Sequence, residues 1–285
     1  MFSIIHYSEI PKQRTILNDP CKTRRRTTPL RFPPVPGVSF VSPAMSSKAA
    51  PASSPASHIA VITVWTGLIA LAVAMGIGRF AFTPLLPLMQ QDAGLTLTQG
   101  GWLATANYVG YLAGAVTCIS APPRPTRAVQ WGLAAIAVST FGMPLTDHFW
   151  FWFALRFVAG AASAFVLVGV SAWAMPILAH LGKSAWSGRV FSGVGAGICF
   201  TGLISLVAAV TAWGSRATWI CLGVTAAIFT SALWSRLTSN PAQPSIMADV
   251  ERAPLSRQAW IAALCYGVFG YGYIIPATFL PALAR

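Results

Sequence analysis

Seven stretches of this sequence run for about twenty residues or more with almost no charge: 59–78, 102–121, 128–146, 149–178, 190–215, 217–235 and 259–284. Arg156 is the one charged side chain inside any of them. About twenty apolar residues are what a helix needs to cross the roughly 30 Å hydrocarbon core of a bilayer. In lipid every backbone N–H and C=O must be satisfied internally, which leaves helices or a closed barrel. The runs are too long for barrel strands and lack strict alternation, so the expected fold class is an all-α membrane protein. Composition agrees: 55% of residues are hydrophobic and 9% are charged, against about 25% charged in an ordinary soluble domain.

The formal net charge is +13. In a soluble protein that would suggest nucleic acid, but the distribution points elsewhere. Eight of the 19 lysines and arginines precede residue 49, and most others fill short gaps between apolar runs. Arg124 and Arg127 separate runs two and three, and Lys183 and Arg189 separate four and five. Arg236, Arg252 and Arg257 lie between six and seven. The alternate gaps carry Asp92, Asp147 and the lone Arg216. The basic gaps fall in phase with the basic amino-terminal region, so the amino terminus is expected in the cytosol. The expected partners are the lipid bilayer and a small-molecule substrate, with no nucleic acid, and the expected location is a bacterial inner membrane.

Four segments follow. Residues 1–58 are polar, rich in Pro, Ser and Arg, without periodicity, and read as a disordered basic cytosolic tail. Met45 opens a conventional short leader, so translation starts either there or at Met1. Residues 59–235 hold six runs, 236–258 form a cytosolic linker with Pro241 and Pro244, and 259–285 hold the seventh run. Cys21, Cys118, Cys199, Cys221 and Cys265 include no C-x-x-C pair, and four of them lie within apolar runs, as small packing residues do. The histidines His6, His58, His148 and His180 are scattered. No metal, no cofactor and no enzymatic activity are expected.

Run seven repeats part of run one. GYGYIIPATFLPAL, from residue 270, aligns with GIGRFAFTPLLPLM, from residue 76. Gly270 falls on Gly76, Gly272 on Gly78, Leu280 on Leu86, Pro281 on Pro87 and Tyr273 on Arg79. A repeat that restarts after six crossings and a linker matches the parallel repeat of major facilitator transporters. On this reading the sequence stops one helix into a second half.

The stretch GIGRFAFTPLLPLMQQDAGLTLTQGGWLATANYVGYLAGA resembles the YbfB/YjiJ family of major facilitator superfamily transporters, and YGVFGYGYIIPATFLPALAR resembles that family's seventh helix. The resemblance covers roughly residues 59–285. It implies a secondary transporter of twelve helices whose central cavity opens to each side in turn, here truncated after the seventh. The superfamily patterns match in part. Arg156-Phe-Val-Ala-Gly160 is similar to R-x-x-Q-G, with Ala159 at the Gln place, and Gly193-x-x-x-Gly197 is similar to the antiporter glycine pattern, with Ile198 where proline is expected. The loop between runs two and three lacks the Gly and Asp of the gating motif.

Two readings stand for the arginines. Arg79 is placed near the outer membrane boundary, where it could snorkel to head groups, and Arg156 could tie helix ends together through backbone carbonyls. Alternatively both face the central cavity, which the resemblance lines with helices one, four and seven. With Tyr273 they would then suit an anion such as a small carboxylate. Asn107 and Tyr111 share a face of helix two and serve either an interhelical hydrogen bond or substrate contact. Gly76, Gly78, Gly193 and Gly197, like Gly110 and Gly114, are spaced for close helix packing, with hinge motion second. Pro84 and Pro87 are expected to kink or end helix one, and Pro276 and Pro281 helix seven. No Asp, Glu or Lys lies within the seven runs, so a proton-coupling acid would be Asp92 or lie beyond this sequence.

The expectation is therefore a secondary-active transporter of a small solute, with an organic anion as the candidate, working by alternating access. The alternatives are an inactive transporter fragment that needs a second half, and a seven-helix receptor. The receptor requires the opposite orientation, and run seven has no lysine for a retinal Schiff base.

Overall fold

The computed structural model describes residues 55–238 and 257–283, and every regular element among them is helical. The tail, Met45 and most of the 236–258 linker lie outside the described residues.

The first apolar run becomes one long rod. It comprises α1 (Pro55–Leu71), a π-helical stretch (Ala72–Phe80) and α2 (Phe82–Ala93), joined without a loop. The membrane-span candidate it forms is 38 residues long, roughly 55 Å at 1.5 Å per residue. The expectation that Pro84 or Pro87 could end helix one is therefore corrected: the helix runs through both and stops at Gly94, which adopts φ 64°. Pro84 has no N–H to give the carbonyl of Phe80, four residues back. The change from π to α winding falls at that point, at Ala81.

Helix α3 (Leu97–Ser120) starts five residues before the apolar run at 102. The reason is a reciprocal cap. Gln99 N donates to Thr96 Oγ1 at 3.2 Å, and Thr96 N donates to Gln99 Oε1 at 3.0 Å, which satisfies donors that the first helical turn leaves free. Helix α4 (Pro125–Gly142) opens on a proline, whose missing N–H costs nothing there. Then come α5 (Phe149–His180), α6 (Ser187–Val210), α7 (Ser215–Thr238) and α8 (Arg257–Leu283). Seven helical spans thus replace the seven runs. Five are both long and apolar enough to cross a membrane by length and composition. The 24-residue α3 is long enough but is diluted by Thr98, Gln99, Thr105, Asn107 and two tyrosines. In α8 the described residues include an apolar stretch, Trp260–Gly270.

The α2–α3, α4–α5 and α6–α7 connections meet at one end. Ser215 N donates to the Asp92 carboxylate at the start of α7, where a side-chain oxygen satisfies an otherwise unpaired amide. Arg216 forms an exposed ion pair with Asp147. Phe149, Trp150 and Phe153 cluster at the same end, with ring centroids 5.3–6.3 Å apart. At the opposite, basic end, Lys183 and Arg189 lie over the Trp186 ring at 4.2 and 4.3 Å. Tryptophan belongs at membrane–water boundaries.

Small residues set the packing. A Cβ on Gly76 would run into the backbone of Gly197 on α6, and one on Gly193 would meet Leu68 of α1. Gly110 of α3 faces the Phe157 backbone of α5, and Gly160 faces that of Asn107. Close backbone approach of this kind drives helix association in lipid, where the hydrophobic effect gives no help. Large apolar side chains such as Leu112, Ile119, Val138 and Leu206 stay exposed, as a lipid-facing surface requires. The interior is built around Phe82, Leu85, Leu86, Met89, Leu133, Ile136, Trp219 and Leu222. Helix α8 touches α2.

Candidate functional site

Gly78, Arg79, Asn107 and Arg156 come from three helices and meet in one layer. The π-helical stretch makes this possible. Its shifted hydrogen-bond register is of a kind that recurs at functional sites, and its carbonyls take bonds from neighbouring helices. Asn107 Nδ2 donates to Gly78 O at 3.3 Å and to Arg156 O at 2.9 Å. Arg156 Nη1 donates to Gly78 O at 3.4 Å, and its Nη2 to Arg79 O at 3.1 Å. Ser163 Oγ, two turns further along α5, shares its proton between Ala74 O at 2.9 Å and Ala159 O at 2.7 Å. Arg156 is 3% exposed and its guanidinium lies 5.0 Å from the Phe82 ring centroid. Its two terminal nitrogens bond the backbone of the first rod, while its Nε finds no acceptor among the described residues.

Arg79 is placed differently. Its guanidinium stacks on the Tyr111 ring at 3.8 Å, with Phe80 and Tyr108 at 5.6 and 5.7 Å. Its Nε and Nη1 are buried and find no hydrogen-bond acceptor among the described residues. A cation on an aromatic face gains roughly 0.5–2 kcal/mol. A charged side chain deep in a bilayer costs on the order of 2.5–3.5 kcal/mol on insertion scales. The ring alone therefore does not offset the burial.

The group lies well away from the helix ends. Helix α2 carries the rod 14 residues beyond Arg79 to Ala93, about 20 Å. Tyr111, on which Arg79 stacks, is 14 residues inside α3, again about 20 Å from its start. Arg79 and Tyr111 thus stand at about the same level, roughly 20 Å from that end of their helices.

The structure brings Arg79, Arg156, Asn107 and Tyr111 together. Tyr273 lies on α8 with Pro276 and Pro281, and the side chains of all three fall outside the described residues. Sequence reasoning missed Ser163 and Phe82 as members of the group. Ser163 stands seven residues after Arg156, on the same helix face, and that spacing is the signal that could have found it. Asp92, considered above as a coupling acid, is engaged at the start of α7. Among the described residues no group of three or more His, Cys, Asp or Glu could hold a metal ion.

Comparison with known proteins decides the family. A family described as "Uncharacterised MFS-type transporter YbfB" matches residues 71–285. The chain belongs to this family. The "Uncharacterized MFS-type transporter YceJ" of Bacillus subtilis (strain 168) is 34% identical over 94 residues, which are 32% of this chain and 24% of the relative. The chain therefore matches about a quarter of that relative's length. Family membership and the apolar helices together make this a multi-pass membrane protein of a transporter family.

Proposed function

We propose that the protein is a carrier, not an enzyme, that moves a small organic anion across the bacterial inner membrane by alternating access. The observation that carries this reading is Arg79: a half-buried, aromatic-stacked guanidinium whose Nε and Nη1 find no acceptor among the described residues. Nε and Nη1 lie on different edges of the guanidinium, so an anionic oxygen would accept a charge-assisted hydrogen bond from either of them, with Nη2 completing a pair. Arg156 and Asn107 act as positioning residues. They hold the carbonyls of Gly78 and Arg79, and so aim the Arg79 side chain at Tyr111. Tyr273, equivalent to Arg79 in the repeat, supplies a phenol from the second unit.

In this reading residues 59–235 form one six-helix unit, 236–258 link it to the next, and α8 opens that next unit. Alternating access then rocks the two units about the site, with a second half supplied beyond α8 or by a partner chain. The amino terminus faces the cytosol, because the Arg124, Lys183 and Arg236 loops share its side.

The test is uptake of radiolabelled small carboxylates into proteoliposomes by the wild type and by Arg79→Gln. The expected result is uptake of at least one carboxylate by the wild type and loss of at least tenfold in the variant. Equal uptake of every transported anion by Arg79→Gln would overturn the proposal.

A further inference from the structure

One apolar slot beside the lipid surface is not part of the arginine group. A cavity of about 390 Å³ opens between α4 and α5. Trp131 and Ala135 of α4 line one wall, and Phe157, Ala161 and Phe165 of α5 line the other. Arg127 closes its basic end, next to Pro123. Trp131 is 67% exposed and is braced edge-on against Trp234 of α7, with centroids 5.7 Å apart. An indole held this way marks the depth at which head groups begin, so the slot runs from head-group level into the hydrocarbon.

Charge selects the occupant. Arg127 lines the slot, Arg124 precedes it by three residues at the start of α4, and both are exposed. Among the described residues the carboxylates are Asp92 and Asp147, and both are engaged at the opposite end of the bundle. Two cations with no carboxylate at their end among the described residues, above an apolar slot of acyl-chain width and beside an interfacial tryptophan, match one ligand chemistry: a phosphodiester carrying a hydrocarbon tail. We propose that this slot binds an anionic phospholipid, with an acyl chain between α4 and α5 and its phosphate on Arg127 and Arg124. A basic pocket between transmembrane helices is an established way to hold an anionic head group. A neutral lipid would fill the slot but leave the two arginines unanswered.

The test uses the full chain reconstituted in vesicles of equal parts phosphatidylcholine and phosphatidylglycerol, extracted in mild detergent, with retained lipid read by native mass spectrometry. Wild type is expected to retain phosphatidylglycerol above its bulk share. Each basic residue near a membrane surface is worth about a fivefold preference for anionic lipid. Arg127→Gln should therefore lower the retained ratio about fivefold, and Arg124→Gln/Arg127→Gln further. Ala135→Leu fills the slot and keeps both charges, and should reduce the amount of lipid retained. Retention at the bulk ratio by the wild type would overturn the proposal. So would a ratio that survives the double substitution, a ratio lowered as much by Arg216→Gln at the opposite end, or retention unchanged in Ala135→Leu.

Discussion

Replacing Gly197 by alanine should destabilise the bundle, while the same change two residues earlier should not. A Cβ at position 197 would lie 2.8 Å from Ala72 Cα and 2.9 Å from its carbonyl carbon. Ordinary contact begins near 3.4 Å, and the obstacle is backbone, which cannot swing aside. Helix α6 must therefore back away from the π-helical stretch by at least about half an ångström, which loosens the facing Gly76–Gly197 contact as well. Overpacking of this kind costs about 1–3 kcal/mol. The helix-propensity gain of alanine over glycine, about 1 kcal/mol, offsets part of it. At Gly195 an added Cβ meets nothing within 4 Å, so only the propensity gain remains. The two variants should differ by about 2 kcal/mol. At about 2–4 °C per kcal/mol for a domain of this size, that is about 4–8 °C in melting temperature. The assay is thermal unfolding of purified protein in mild detergent, with Gly202→Ala, also open within 4 Å, as a second control. If Gly197→Ala melts with or above Gly195→Ala, backbone contact at glycine does not set the α1–α6 packing.

Three further outcomes follow from the hydrogen bonds. Asn107→Leu removes the donor shared by Gly78 O and Arg156 O; interhelical bonds in membranes average about 0.6 kcal/mol, so a fall of about 1–3 °C in melting temperature is expected, and no fall would contradict the bridging role. Asp92→Ala should cost about 1 kcal/mol through loss of the contact with Ser215 N, while Asp92→Asn keeps an oxygen there and should cost much less, as urea-dependent unfolding of the two variants would show. Arg216→Gln should leave the melting temperature unchanged at physiological salt, because its pair with Asp147 is exposed on both sides, 61% and 51%, and such pairs contribute little.

The sequence states its helices in a form that the backbone obeys. Uncharged length placed every span but the first to within about five residues, since lipid permits few other uses for such runs, whereas the first helix runs fifteen residues past Gly78. Departures came where local chemistry extends an end, as at Thr96 and Gln99, whose reciprocal cap adds the turn before Trp102. Pro84 and Pro87 misled in the other direction. Proline normally stops a helix in water, but here flanking helices hold the rod and it continues to Ala93. The π-helical stretch has no compositional signature at all, because a one-residue shift in hydrogen-bond register uses the same amino acids. That also explains the arginines. Arg79, Arg156, Asn107 and Tyr111 stood out as polar residues in apolar runs. The roles of Arg156 and Asn107 depend on the carbonyls of Gly78 and Arg79, and a backbone acceptor is the same at every position of a sequence. The meeting of Asp92, Asp147 and Arg216 at one end was foreshadowed by the alternation of basic and poorly basic gaps.

The measurement that reaches the central claim most directly is ligand-induced stabilisation of the purified chain by small carboxylates, compared between wild type and Arg79→Gln. Binding to the folded form at one hundred times the dissociation constant adds about 2.7 kcal/mol, which corresponds to about 5–10 °C in melting temperature. The account predicts such a rise for at least one carboxylate in the wild type, none with its uncharged amide analogue, and none in Arg79→Gln. An equal rise in Arg79→Gln, or with the amide, would contradict an anion site at Arg79.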